Sequence, residues 1–116
     1  MQLRQALLFV KDLQQMIAFY GTIMGFNLIV GTRSDTWAEF EGGLALHAIP
    51  PHIAVDIIIE SPAVPREETP IKLIFTVADL DAISTRLEGL GVTVLRRPWG
   101  ASDCIDPEGN IFQLSS

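Results

Sequence analysis

The stretch ALLFVKDLQQMIAFYGTIMGFNLI, residues 6–29, decides the fold, because the chain repeats its pattern as KLIFTVADLDAISTRLEGLGVTVL at residues 72–95. Each segment reads as a strand, a helix and a strand, and self-similarity of this kind marks a duplicated structural unit. Laying Asp12 on Asp79 shifts the chain by 67 residues, whereas laying Gly25 on Gly91 shifts it by 66. A single-residue difference inside the helix accounts for the change.

Within each copy the local signals agree. The opening strand alternates, with Ala6, Leu8 and Val10 on one face and Gln5, Leu7 and Phe9 on the other. Its counterpart carries Leu73, Phe75 and Val77 against Lys72, Ile74 and Thr76, so both strands begin with a polar residue on the second face. Asp12 and Asp79 stand where helix N-caps belong, and Gln15 follows Asp12 at capping-box spacing. Leu13, Met16, Ile17, Tyr20 and Met24 form one helical stripe, as do Leu80, Ile83, Leu87 and Leu90. Gly25 and Gly91 end the helices, since a residue without Cβ tolerates the left-handed backbone after the last turn.

Short strands follow each helix: residues 26–30, 36–41 and 44–49 in the first copy, with a Gly42-Gly43 turn, and residues 92–95, 101–105 and 111–115 in the second. Asp106-Pro107-Glu108-Gly109-Asn110 reads as a tight hairpin loop. Residues 50–70 hold five of the seven prolines and read as a linker, within which residues 53–59 are apolar enough for an extra strand or for lying against a neighbouring chain. The expectation is an α+β protein of two tandem βαβββ modules. Module 1 covers about residues 1–50, module 2 about residues 71–116, and the two make a single domain over residues 1–116.

Composition narrows the function classes. The chain has 116 residues, is 48% hydrophobic and 19% charged, and carries a formal net charge of -6. That balance suits one globular domain and opposes binding to a phosphate backbone, because its eight basic residues cluster no further than Arg96-Arg97. Nucleic acid is therefore not an expected partner. Cys104 is the one cysteine, which rules out an intrachain disulfide, and no apolar run reaches the length of a membrane span or a signal-peptide core. A cytoplasmic protein without a membrane partner is expected.

At this point the sequence resembles the vicinal oxygen chelate superfamily of glyoxalases, bleomycin-resistance proteins and extradiol dioxygenases, over essentially its whole length. In the first half the likeness is carried by Val10-Lys11-Asp12-Leu13, Phe19-Tyr20 and Met24-Gly25-Phe26. In the second half it is carried by Val77-Ala78-Asp79-Leu80, Leu90-Gly91-Val92, Pro98-Trp99-Gly100 and the Asp106–Asn110 turn with Ile111-Phe112-Gln113-Leu114. The resemblance implies that the modules curl a mixed sheet around a ligand groove, and it implies a homodimer. In metal-using members it further implies four ligands, two from first strands and two from last strands. Carried over residue by residue, those places are Gln5, His47, Lys72 and Gln113, with separations of 42 residues from Gln5 to His47 and 41 from Lys72 to Gln113.

That quartet has no carboxylate, and a protonated Lys72 cannot ligate a cation. The reading is a groove without the usual divalent metal and with no predicted cofactor. Its expected lining is Gln5, His47, Lys72, Gln113, Trp37, Trp99 and Phe9, and no catalytic residue is assigned. If a Ni, Zn, Mn or Fe ion is held after all, the candidates are His47, Gln5, Gln113 and Glu39. Each residue has a plainer role beside the functional one. Lys72 can reach out to water from a strand edge, His47 can be a half-buried imidazole with one hydrogen-bond partner, Glu39 can be an exposed acid, and the aromatic residues serve equally as core. Cys104 is expected to be a small buried residue and no nucleophile. Two functions follow: a small-molecule-binding protein of the bleomycin-resistance kind, or a metal-dependent lyase, isomerase or dioxygenase acting on vicinal oxygens. A dimerisation module without ligand is a third.

Overall fold

The computed structural model describes residues 1–116, which divide into two compact units, Met1–Ile58 and Ile59–Ser116. In the first, strand β1 (Ala6–Val10) leads into helix α1 (Leu13–Ala18), and strands β2 (Trp37–Phe40) and β3 (Leu44–Ala48) follow. A short helix, α2 (Pro51–Ala54), closes the unit. In the second, strand β4 (Leu73–Thr76), helix α3 (Leu80–Gly89) and strands β5 (Val94–Arg97), β6 (Ala101–Ile105) and β7 (Ile111–Ser115) repeat the order with one strand more after the helix. The class is α+β, with sheets ordered β1-β3-β2 and β4-β7-β6-β5. Both sheets are mixed, since β1 runs parallel to β3 and β4 parallel to β7 while the remaining pairs are antiparallel.

The helix starts follow from the acids read as caps. Asp12 Oδ1 accepts from Gln15 N and Asp79 Oδ1 from Ala82 N, each at 3.0 Å, so each aspartate satisfies one amide of the first turn that has no helical partner. The helix ends explain the uneven repeat shift. In the second unit the Val92 amide closes on Leu87 O at 3.0 Å, five residues back, with Gly91 at φ 84°. In the first, the equivalent Phe26 amide reaches Tyr20 O at 3.0 Å, six residues back, with Gly25 at φ 87°. The additional residue is absorbed by a π-helical turn at Phe19–Ile23, in which Met24 N bonds Phe19 O. Tyr20 and Leu87, on which the two closures are anchored, are both buried.

Each helix packs on one face of its sheet. In the first unit Leu44, Leu46, Ala38 and Phe40 are buried on the α1 side with Leu13, Met16 and Tyr20, and Phe40 lies against Gly21 of the helical segment. In the second, Ser84 of α3 and Ser102 of β6 share a buried hydrogen bond of 2.9 Å, which fixes the side of the sheet that faces the helix.

Three strand expectations need correction. The strand expected at residues 26–30 contracts to one antiparallel bridge, Leu28 with Phe40, before a 3-10 turn at Val30–Thr32 turns the chain away. The strand expected at residues 92–95 begins two residues later, at Val94. The apolar residues 53–59 form no strand; Pro51, preset for a first helical turn, starts α2 instead.

Candidate functional site

Alternation along the strands sends every second side chain to the face away from the helix. In the first unit that face carries two rows of cross-strand neighbours: Leu7, Ala45 and Glu39, then Phe9, His47 and Trp37. Phe9 is 58% exposed and Leu7 is 39% exposed, large apolar groups that the fold of this unit leaves uncovered. The His47 ring meets Phe9 edge-on at 5.3 Å and Trp37 at 5.8 Å, giving a continuous aromatic row across three strands. His47 Nδ1 is buried and has no hydrogen-bond partner. The plain expectation of one satisfied partner is therefore not met at that nitrogen, and an unpaired buried polar atom costs about 1–3 kcal/mol.

Glu39 is not the exposed acid of the plain reading. Its side chain is 13% accessible, on the same face as His47, with Arg4 at 3.6 Å. Gln5 lies just ahead of β1, where Gly43, at φ 97° in the β2–β3 turn, passes within reach of its backbone.

In the second unit the corresponding face carries the row Leu95, Asp103, Gln113 and Ile74. Asp103 is buried to 7% accessibility and is held from both flanks. Arg97 Nε donates to its Oδ2 at 2.8 Å and Lys72 Nζ to its Oδ1 at 3.3 Å. Lys72 therefore neither stands alone as a cation nor simply reaches into water; it is half of a clamp on a buried carboxylate. The Arg97 guanidinium lies over the Trp99 ring, 5.6 Å from its centroid, and Trp99 is 67% exposed in the β5–β6 turn.

Asp103 and Arg97 were not among the residues singled out from sequence. The alternation of Ala101, Asp103 and Ile105 in β6 could have put Asp103 on the face of Gln113. Arg97 lay beyond the strand expected there.

Strand pairing also refines the repeat alignment. Ala6 pairs Leu44 and Leu73 pairs Phe112, so buried Leu44 and Leu46 correspond to Phe112 and Leu114. On that register Gln113 matches Ala45, and His47 matches Ser115. His47 and Gln113 each point away from the helix of their own unit, but at positions two residues apart in the repeat.

The donors do not suit a divalent ion. No three His, Cys, Asp or Glu side chains are gathered as a metal site. Lys72 offers an ammonium that cannot ligate and that is bonded to Asp103. Cys104 is buried on the α3 side, and desolvation, with smaller effects from Asp103 and Glu88, pushes its thiol up to about 12. A thiol so held is no nucleophile at neutral pH.

A family model described as Glyoxalase/Bleomycin resistance protein/Dioxygenase superfamily matches residues 2–114. Among solved structures, a glyoxalase/bleomycin resistance protein/dioxygenase family enzyme from Burkholderia phytofirmans PsJN superposes with TM-score 0.70 at 21% identity, over 98% of this chain and 97% of that one. A glyoxalase/dioxygenase from Nostoc punctiforme gives TM-score 0.74 at 19% identity, over 97% and 88%. TnmS3, an antibiotic binding protein from Streptomyces sp. CB03234, gives 0.66 at 22% identity, over 99% and 94%. At these identities the likeness speaks for the fold. No curated protein sequence matches the chain.

Proposed function

The chain belongs to the glyoxalase/bleomycin resistance protein/dioxygenase superfamily, and from that premise we propose that it is a small-molecule-binding member working without the divalent metal centre of the metal-using branch. The observation that carries the reading is the aromatic row Phe9–His47–Trp37 on the face away from the helix, exposed at Phe9 and half-buried at His47 and Trp37. Such a surface offers apolar area for affinity and a half-buried imidazole for orientation, the usual division of labour in a ligand site. The antibiotic-binding function of one structural neighbour agrees with this class of activity.

Gln5, His47, Phe9 and Trp37 on the sheet of the first module, and separately Lys72, Gln113 and Trp99 on that of the second, are the proposed ligand-contacting residues of each unit. The homodimer and the cytoplasmic location belong to the same proposal, and sedimentation analysis checks the first. One observation favours a metal-dependent enzyme instead: Glu39 is largely buried on the face of His47, so a carboxylate and an imidazole share that side of one sheet.

The test is calorimetric titration of the purified protein with a panel of neutral and anionic aromatic compounds, repeated on His47→Phe and Trp37→Ala. Binding weakened about tenfold by His47→Phe, equivalent to about 1.4 kcal/mol, is the expected result. A panel with no binder, or binders indifferent to both substitutions, would remove the reading.

A further inference from the structure

The molecule is acidic overall, yet one patch of the second unit is locally positive. Arg97 and Lys72 bring two cations to Asp103, which returns one negative charge and leaves a net excess of one positive charge. The geometry shows which donors are committed. Asp103 takes Nε of Arg97 and one donor of Lys72, while the terminal Nη1 and Nη2 of Arg97 make no bond within the chain. Arg97 is held at one edge by the buried carboxylate and over one face by Trp99, so its outer fork is presented with little rotational freedom to lose. A fork of two parallel N–H groups matches the two oxygens of a carboxylate. Beside it stand Trp99 at 67%, Leu95 at 51% and Ile74 at 60% exposure, an apolar surface for the remainder of a flat molecule.

We propose that this patch is an anion subsite, in which the terminal nitrogens of Arg97, seconded by Lys72, take the carboxylate of a small aromatic acid. The inference rests on the small-molecule-binding reading and narrows it to an anionic ligand. Asp103 acts here as a positioning residue: it aims Arg97 and lowers the net charge of the patch.

The experiment compares 2-naphthoate with its neutral counterpart 2-naphthamide by calorimetry on the full chain. The wild type is expected to bind naphthoate at least tenfold more tightly, with the preference shrinking as salt rises. Arg97→Gln should abolish the preference. Asp103→Asn, which removes the internal negative charge, should increase naphthoate affinity several-fold. Because Arg97→Gln leaves a buried carboxylate short of a partner and can unfold the sheet, the double variant Arg97→Gln/Asp103→Asn removes both halves; it keeps Lys72 and the net charge of the patch but loses the fork, so its preference should fall well below that of the wild type, to what Lys72 alone provides. Folding defects alone would weaken both probes together and would not move the two single variants in opposite directions. Equal binding of the two probes by the wild type, or a preference undiminished in the double variant, overturns the anion subsite. If naphthamide binds in a His47-dependent manner without any preference for naphthoate, the subsite fails and the small-molecule reading stands. Binding of neither probe overturns the subsite, and the separate aromatic panel then decides the wider reading.

Discussion

His47 carries the least settled balance of energies in the first unit. Its ring gains from Phe9 and Trp37, about 0.5–1.5 kcal/mol for each aromatic contact, while its Nδ1 stays buried without a partner. His47→Phe keeps the aromatic row and removes the orphan nitrogen, so it should raise unfolding stability by about 1 kcal/mol in urea titration while weakening ligand binding. A gain in one measurement and a loss in the other separates a residue kept for binding from one kept for packing. Cys104 gives a pH prediction. Its folded-state value is raised from 9.0 to about 12, so its contribution to stability is complete below about 9 and is lost as pH rises through about 12. Urea midpoints taken across that window should fall more steeply for the wild type than for Cys104→Ala.

At the scale of elements, what could be read from sequence was what local chemistry dictates. The caps at Asp12 and Asp79 and the strands β6 and β7 stand where they were expected, because an aspartate side chain or a Pro-Gly turn acts within a few residues of itself. Asp106 shows this well, its Oδ1 accepting from Glu108 N and Asn110 N, both at 2.9 Å. Asp12→Ala and Asp79→Ala should each cost about 1 kcal/mol, read as a shift in the denaturation midpoint. Gly109→Ala should cost more, since its φ is 88° and an added Cβ would run into the carbonyl oxygen of Val64; Gly31→Ala, which meets open space, is the control.

What could not be read depended on partners distant in sequence. The clamp on Asp103 draws on residues 31 and 6 positions away. The slip of His47 against Gln113 is set by which rung of β3 meets β1, which spacing alone does not encode. Residues 53–59, apolar enough for a strand or for lying against a neighbouring chain, form no strand, since hydrophobicity names no partner strand and a proline pair dictated the local turn.

For the whole molecule, duplication supplies two helix-backed sheets of like topology, and their outward faces differ in character. The first is aromatic with a single unpaired nitrogen. The second is ionic, with a buried acid between two cations. No helix is long and apolar enough to cross a membrane. Gln5, His47, Lys72 and Gln113, the four places that the resemblance implied as ligands, are two amides, one imidazole and one ammonium, a set that serves hydrogen bonding and charge recognition better than coordination. The most direct test is the thermal midpoint of the chelator-treated protein, measured alone and with Ni, Zn, Mn or Fe in excess, since any ion bound by the native state alone must raise it. The account expects the midpoint to stay within about a degree for all four; a rise of several degrees, saturating at one ion per chain, would contradict it.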